Sequence, residues 1–226
     1  CEAFFKAVDS NGFYKLVEKE DVNPSDYRYA FRAAYFDRGT TETLISVRRE
    51  NYYKANQQPY TNQSIRWGAI CPTKEYFDMF PTADGENFDW NNPEHALSPY
   101  SNRDPRLALS IYTNGSSFKN TTIETFEGGA HKRIKNGTMT GYYLRKFVDS
   151  NIDLMVNGTS NHPWVIFRIS EIYLNYAEAL NESNPGHPDI LTYVNKTRGR
   201  SDVKMIPIGD TDQDVLRKRI RNERRI

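Results

Sequence analysis

The apolar positions of this chain follow a helical period towards both ends and lose regularity in between. The longest helical pattern runs from Trp164 to Glu182, WVIFRISEIYLNYAEALNE. Within it Ile166, Ile169, Tyr173, Tyr176, Ala177 and Leu180 recur at three- and four-residue steps and make one broad stripe. Pro163 precedes it, where a missing N–H costs nothing, and Asn184-Pro185-Gly186 closes it with turn chemistry. Arg168 and Glu171, three apart, are expected to face each other on its surface. Ala177 and Ala179 leave room for a neighbouring helix. A stripe of this kind packs a scaffold, and the segment reads as scaffold.

Other elements are shorter. Residues 1–17 read as a helix with Phe4, Phe5 and Val8 on one side, stopped at Asn11-Gly12 and followed by an extended exit through Phe13–Leu16. Pro24 to Asp37 holds a second amphipathic segment with Tyr27, Phe31, Ala34 and Tyr35. Thr43–Val47 is a β-branched run that suits a strand. From Asn51 to Asn161 the chain is rich in Asn, Gly, Pro, Ser and Thr. Thr73–Phe80 is predicted as a helix capped by Thr73, and Leu107–Tyr112 and Tyr142–Val148 as strands. Irregular stretches of this length read as functional loops, with a flexible linker as the alternative. Trp67, Trp90 and the tyrosines argue for order. Ile190–Thr197 is predicted to pair with the long helix. A last helix begins at Thr211, whose hydroxyl and Asp214 would form a capping box. Three helices with short connections suit tetratricopeptide-like hairpins, although no repeat period is visible.

The totals narrow the function classes. A chain of 226 residues can bury a substantial core in one or two domains. A net charge of +1 makes no case for nucleic acid. Aromatics make up 13% of a chain that is only 38% hydrophobic, so many tyrosines are expected partly in solvent. Exposed rings suit flat, partly polar ligands such as sugars or peptides; cores and interfaces are the ordinary alternative. No run of eighteen apolar residues exists, and no signal peptide is visible. Cys1 reads as an interior helix residue, and the chain stops at Ile226 in mid-helix, so a piece of a longer protein is expected. Cys1 and Cys71 allow one disulfide at most. They have no metal-ligand spacing with His95, His131, His162 and His187, so neither a metal nor a cofactor is expected.

Candidate chemistry is sparse. Seven Asn-x-Ser/Thr triplets, beginning at Asn62, Asn114, Asn120, Asn136, Asn157, Asn181 and Asn195, read as chance in an Asn-rich chain. The basic cluster Arg217, Lys218, Arg219, Arg221, Arg224 and Arg225 reads as structural ion pairing rather than a phosphate grip. In Asn102-Arg103-Asp104-Pro105-Arg106, Asp104 would cap a turn and hold Arg106 or Arg103 in a bidentate pair. No nucleophile elbow or phosphate loop occurs, and His131 and His162 have no obvious partner. Catalysis is not expected. The aromatic loops remain: Tyr60, Trp67, Trp90 with Asp89 and Asn91 beside it, and Tyr100. A pyranose stacks its C–H face on a ring while neighbouring amides and carboxylates bond its hydroxyls. These six are the candidate ligand-binding residues.

Several blocks, in order, resemble the SusD/RagB family across nearly the whole chain. Phe167 to Glu182 is similar to its signature helix. Gly12–Leu16, Glu42–Ile45, Pro72–Phe80 with Asp84-Gly85, Asn102–Leu107, Tyr143–Phe147, Val194–Arg200 and Ile220–Arg225 follow its pattern at its spacing. The resemblance implies a mainly α fold: an α-helical scaffold with tetratricopeptide-like hairpins, long irregular loops and a few short strands. It divides the chain into a helical part at 1–50, a loop-rich ligand-binding part at 51–161 and helices at 162–226. It implies a surface lipoprotein of the outer membrane, anchored outside this stretch, that binds oligosaccharides and hands them to a SusC-like TonB-dependent transporter without cleaving them. An oligopeptide ligand, or a structural lid with no ligand of its own, are the other roles that fit. The binding loops would lie between about Tyr60 and Tyr112.

Overall fold

The computed structural model describes residues 2–22, 30–37, 39–47, 70–132, 137–148 and 162–226. Cys1, Tyr60 and Trp67, with most of the Pro24–Asp37 segment before Ala30, lie outside them. In chain order the elements are α1 (Glu2–Ser10), a 3-10 turn (Lys19–Asp21), α2 (Ala30–Phe36), β1 (Thr43–Val47), α3 (Lys74–Asp78), α4 (Pro93–Leu97) and α5 (Pro105–Ser110). They continue with β2 (Ile111–Tyr112), β3 (Ser117–Phe118), β4 (Thr121–Thr122), β5 (Tyr143–Leu144), β6 (Trp164–Arg168), α6 (Ile169–Ser183), α7 (Pro188–Arg198) and α8 (Gln213–Arg225). The fold is mainly α, with short strands paired two by two. None of the described helices is long and apolar enough to cross a membrane.

The chain forms two compact units. The first takes Cys1–Val47, Thr82–Glu86 and Pro163–Ile226; the second takes Arg48–Pro81 and Asn87–His162. In the first, α6 and α7 form a helix hairpin and α8 packs on α6. The turn between α6 and α7 passes through Gly186 at φ +85, a conformation that only glycine adopts without strain, and Pro188 opens α7 behind a His187 cap. Ile169, Tyr173, Ala177, Ile190, Val194, Leu216 and Ile220 make the core, with Phe5 of α1 stacked on Tyr176 at 4.1 Å. Three arginines of α8 are spent on α6: Arg221 and Arg224 reach Glu178 at 3.0 and 2.6 Å, and Arg217 reaches Glu182 at 2.5 Å. Asn181 and Gln213 exchange side-chain-to-carbonyl bonds of 2.9 and 2.7 Å, so the sequon asparagine at 181 is buried and occupied.

Three sequence expectations shift. Trp164–Arg168 is a strand, not the first turn of the long helix, and it pairs antiparallel with β1. A run of aromatic and β-branched residues satisfies both periods, and pairing with Thr43–Val47 decides it. Ile166 is therefore exposed, and Arg168 turns to Glu42 instead of Glu171. The predicted strand from Leu107 is helix as far as Ser110, because Asp104 caps it and Pro105 opens it; only Ile111–Tyr112 pairs, with Tyr143–Leu144. The cap of α8 is Asp212, which accepts from the Val215 N–H at 2.9 Å, and Asp214 pairs with Arg217.

One buried carboxylate ties the helical unit together. Glu42 accepts from Arg200 Nη2 at 2.8 Å, from Arg168 Nη1 and from the Val17 N–H at 3.1 Å. Its backbone carbonyl accepts the Ile169 N–H at the start of α6. The Arg168 guanidinium lies 4.3 Å from the Tyr35 ring centre, which brings α2 into the same cluster. Burial pushes the Glu42 carboxyl up, but the Arg200 and Arg168 charges and the bonds from Arg200 and Val17 outweigh it and hold the group below its ordinary value of 4.5. The sign follows: this stabilisation is complete above about pH 4.5 and is lost as pH falls through the lower folded-state value. Glu42→Gln leaves the buried Arg200 guanidinium and the partly buried one of Arg168 without this counter-charge and is expected to cost about 3–5 kcal/mol at neutral pH. Urea denaturation of both proteins between pH 3 and 7 checks this, and the gap between them is expected to close at the acid end.

Candidate functional site

The second unit is built around Phe77, which α3 delivers to its interior. Thr73 caps α3 by accepting the Tyr76 N–H at 3.2 Å, and the cap sets Phe77 fully inside. Four rings pack on it. Tyr142 stacks at 4.8 Å and 12°, Phe88 and Tyr100 meet it edge-on at 6.0 and 5.9 Å, and Trp90 lies tilted at 6.3 Å. Phe88 also meets Trp90 edge-on at 5.0 Å and stacks on His95 at 5.4 Å.

A buried cation holds this cluster. The Arg103 guanidinium lies 3.8 Å from the Phe88 ring centre and 4.7 Å from that of Phe77. It donates to the carbonyls of Pro99, Phe77 and Phe80 at 2.8, 3.0 and 2.7 Å. Burial pulls its pKa down to about 10 against the pull of Asp78, Tyr142 and Asp104, so it stays charged at neutral pH. Its neighbour Arg106 takes Asp104, with bonds of 3.0 Å from Nε and 2.7 Å from Nη2, both side chains buried. Of the two partners the sequence allows Asp104, the structure selects Arg106.

Two rings of the cluster reach solvent. Trp90 is 36% exposed and Tyr100 44%. Trp90 is fixed at its polar edge, where Nε1 donates to Asp78 Oδ1 at 2.8 Å. Lys74, paired with Asp78 at 2.6 Å, places its ammonium 4.6 Å from the indole centre. The turn carrying Trp90 is held from both sides. Asp89 Oδ1 accepts from the Asn91 N–H and Nδ2, both at 2.9 Å, and the Asp89 N–H donates to His95 Nδ1 at 3.2 Å, which places the proton of a neutral His95 on Nε2. Asn92 then caps α4 through the Glu94 N–H. Asp89 and Asn91 are exposed.

The structure thus brings four of the six sequence candidates, Asp89, Trp90, Asn91 and Tyr100, onto one aromatic cluster. Tyr60 and Trp67 lie outside the described residues. Sequence reasoning missed the residues beneath: Phe77, Phe88, Tyr142 and Arg103 as the support, Lys74 and Asp78 as the clamp on the indole. The signal for Lys74 and Asp78 was available, four apart on a predicted helix. His131, which looked unpartnered, is buried with Nδ1 accepting from the Glu124 N–H at 3.1 Å and its ring edge-on to Tyr143. Among the described residues no group of three or more His, Cys, Asp or Glu could hold a metal ion.

A family model for the SusD family matches residues 30–226. Among solved structures, a SusD-like protein from Bacteroides fragilis is 26% identical with a TM-score of 0.76, over 99% of this chain and 47% of that one. A SusD-like carbohydrate binding protein from the same species is 23% identical with a TM-score of 0.73, over 98% and 44%. Surface glycan-binding protein A from Bacteroides uniformis is 14% identical with a TM-score of 0.56, over 98% and 41%. The chain spans less than half the length of each of these proteins. A comparison with curated proteins finds no match.

Arg103→Lys removes the planar fork from between two rings and leaves carbonyls unmet, and is expected to cost about 2–3 kcal/mol. A thermal melt followed by Trp90-sensitive near-ultraviolet circular dichroism checks it. An unchanged melting temperature would show that the cluster does not depend on the guanidinium.

Proposed function

This chain belongs to the SusD family, and on that premise we propose that it binds oligosaccharides at the cell surface and passes them to a SusC-like, TonB-dependent transporter of the outer membrane. The observation that carries the reading is the pair of exposed rings, Trp90 and Tyr100, on a cluster whose interior is fixed. A stacking platform has to present its ring without reorganising, because each freedom lost on binding subtracts from affinity. Phe77, Phe88 and Arg103 remove that freedom in advance. Asp89 and Asn91, exposed and on either side of Trp90 in the chain, supply hydroxyl-bonding groups. The role is capture without turnover, as an outer-membrane lipoprotein. The names of two solved relatives, a carbohydrate binding protein and a surface glycan-binding protein, agree with it.

Calorimetric titration of the full-length protein against a glycan panel tests the reading. Trp90→Ala and Tyr100→Ala are each expected to weaken binding about fivefold while circular dichroism stays native, in line with about 1 kcal/mol for one ring contact. Binding of oligopeptides but of no glycan would transfer the site to peptide capture. Glycan binding untouched by either substitution would move it away from this cluster.

A further inference from the structure

Trp90 does not stand bare. The Lys74 ammonium lies over its ring, 4.6 Å from the centre, and is tied to Asp78 at 2.6 Å. Phe88 meets the indole edge-on at 5.0 Å, and Phe77 lies tilted at 6.3 Å. These three neighbours differ in how far they can give way. Phe77 is fully buried, and Phe88 carries the Arg103 guanidinium 3.8 Å from its ring centre. The Lys74 side chain is 54% exposed, on a flexible stem, so it can swing away without disturbing the packing. Asp78 keeps its two bonds on separate oxygens: Oδ2 accepts from Lys74, while Oδ1 accepts from Trp90 Nε1 at 2.8 Å. The indole therefore stays anchored when the ammonium leaves.

A sugar carbon in van der Waals contact with a ring lies about 3.5–4.0 Å from its atoms, and the ammonium already fills that layer. An exposed ion pair and an exposed cation–ring contact are each weak, so this occupant is held loosely enough for a ligand to replace it. Resting on the glycan reading given above, we propose that Lys74 is a displaceable cover on Trp90. An oligosaccharide takes the indole face by exchanging with the ammonium, and the exchange limits its affinity. Removing the cover then strengthens binding, the opposite of what a lysine that donates hydrogen bonds to the ligand would give.

The test uses the full-length protein and the tightest uncharged binder from the glycan panel. Lys74→Ala is expected to bind it about two- to fivefold more tightly, with near-ultraviolet circular dichroism unchanged because Asp78 still holds Nε1. Lys74→Arg keeps a cation for the ring and should gain nothing. In the unaltered protein, affinity for the same glycan should rise with salt, which screens the Lys74–Asp78 pair, and the rise should vanish in Lys74→Ala. Weaker binding by Lys74→Ala would make the ammonium a donor to the ligand and overturns the cover. Unchanged binding places the ligand off this face and overturns it as well. Both results leave glycan capture intact. A panel on which nothing binds overturns glycan capture itself, and the exchange with it.

Discussion

Glu42 sits in the interior with no solvent to share its charge, and everything around it is arranged to compensate. The cost of taking a carboxylate out of water is several kcal/mol, and it is recovered only where opposite charges and hydrogen bonds converge on it. Here those partners come from far apart in sequence: Val17 is 25 residues away, Arg168 is 126 and Arg200 is 158. One carboxylate therefore fixes the exit of the first helical segment, the junction of β6 with α6 and the end of α7. Because Arg168 and Arg200 also lie against Tyr35 and Phe31, α2 is held by the same charges. The hydrophobic core of α6, α7 and α8 gives this unit its mass, while Glu42 gives it its alignment.

The second unit solves a similar problem with the opposite sign and a different answer. Arg103 is buried, yet the carboxylate beside it in sequence belongs to Arg106. Backbone carbonyls take its protons and ring faces cover its plane. This leaves the positive charge uncancelled beneath Phe88, where ring quadrupoles and carbonyl dipoles stabilise it. The same loops then expose Trp90 and Tyr100 on a base that cannot easily rearrange. Rigid support under open rings is the feature of this unit on which the proposed ligand capture rests.

Much of this was legible in the sequence, and the misses have physical causes. The stripe through Tyr173, Ala177 and Leu180 identified the core helix because burial on one face demands that period. Trp164–Phe167 misled because bulky residues at consecutive positions fit a helix and a strand equally, and the deciding partner, Thr43–Val47, lies more than a hundred residues upstream. The α8 cap was off by one residue because Thr211 and Asp212 are both competent and only geometry chooses. Arg106 could be anticipated from Asp104, since both ends of that bond carry charge. Arg103 could not, because its acceptors are carbonyls at Phe77, Phe80 and Pro99, and backbone oxygens leave no mark in a sequence. The exposed turn at Asp89–Asn91 was readable as a polar aromatic loop. The buried rings beneath it became visible only in three dimensions.

The pairing of β1 with β6 also decides how the chain tolerates change. These strands are neighbours although residues 48–163 run between them, so most of the loop-bearing unit is, in topological terms, an insertion into a two-stranded ribbon, with Thr82–Glu86 as its one return. Closing a long loop costs little more than closing a moderately long one, since the entropy grows only with the logarithm of length. Lengthening, trimming or replacing segments of the insertion would thus tax the ribbon and its helices very lightly. A frame clamped in this way can take a changed loop unit while its own strand pairing and helix packing stay as they are.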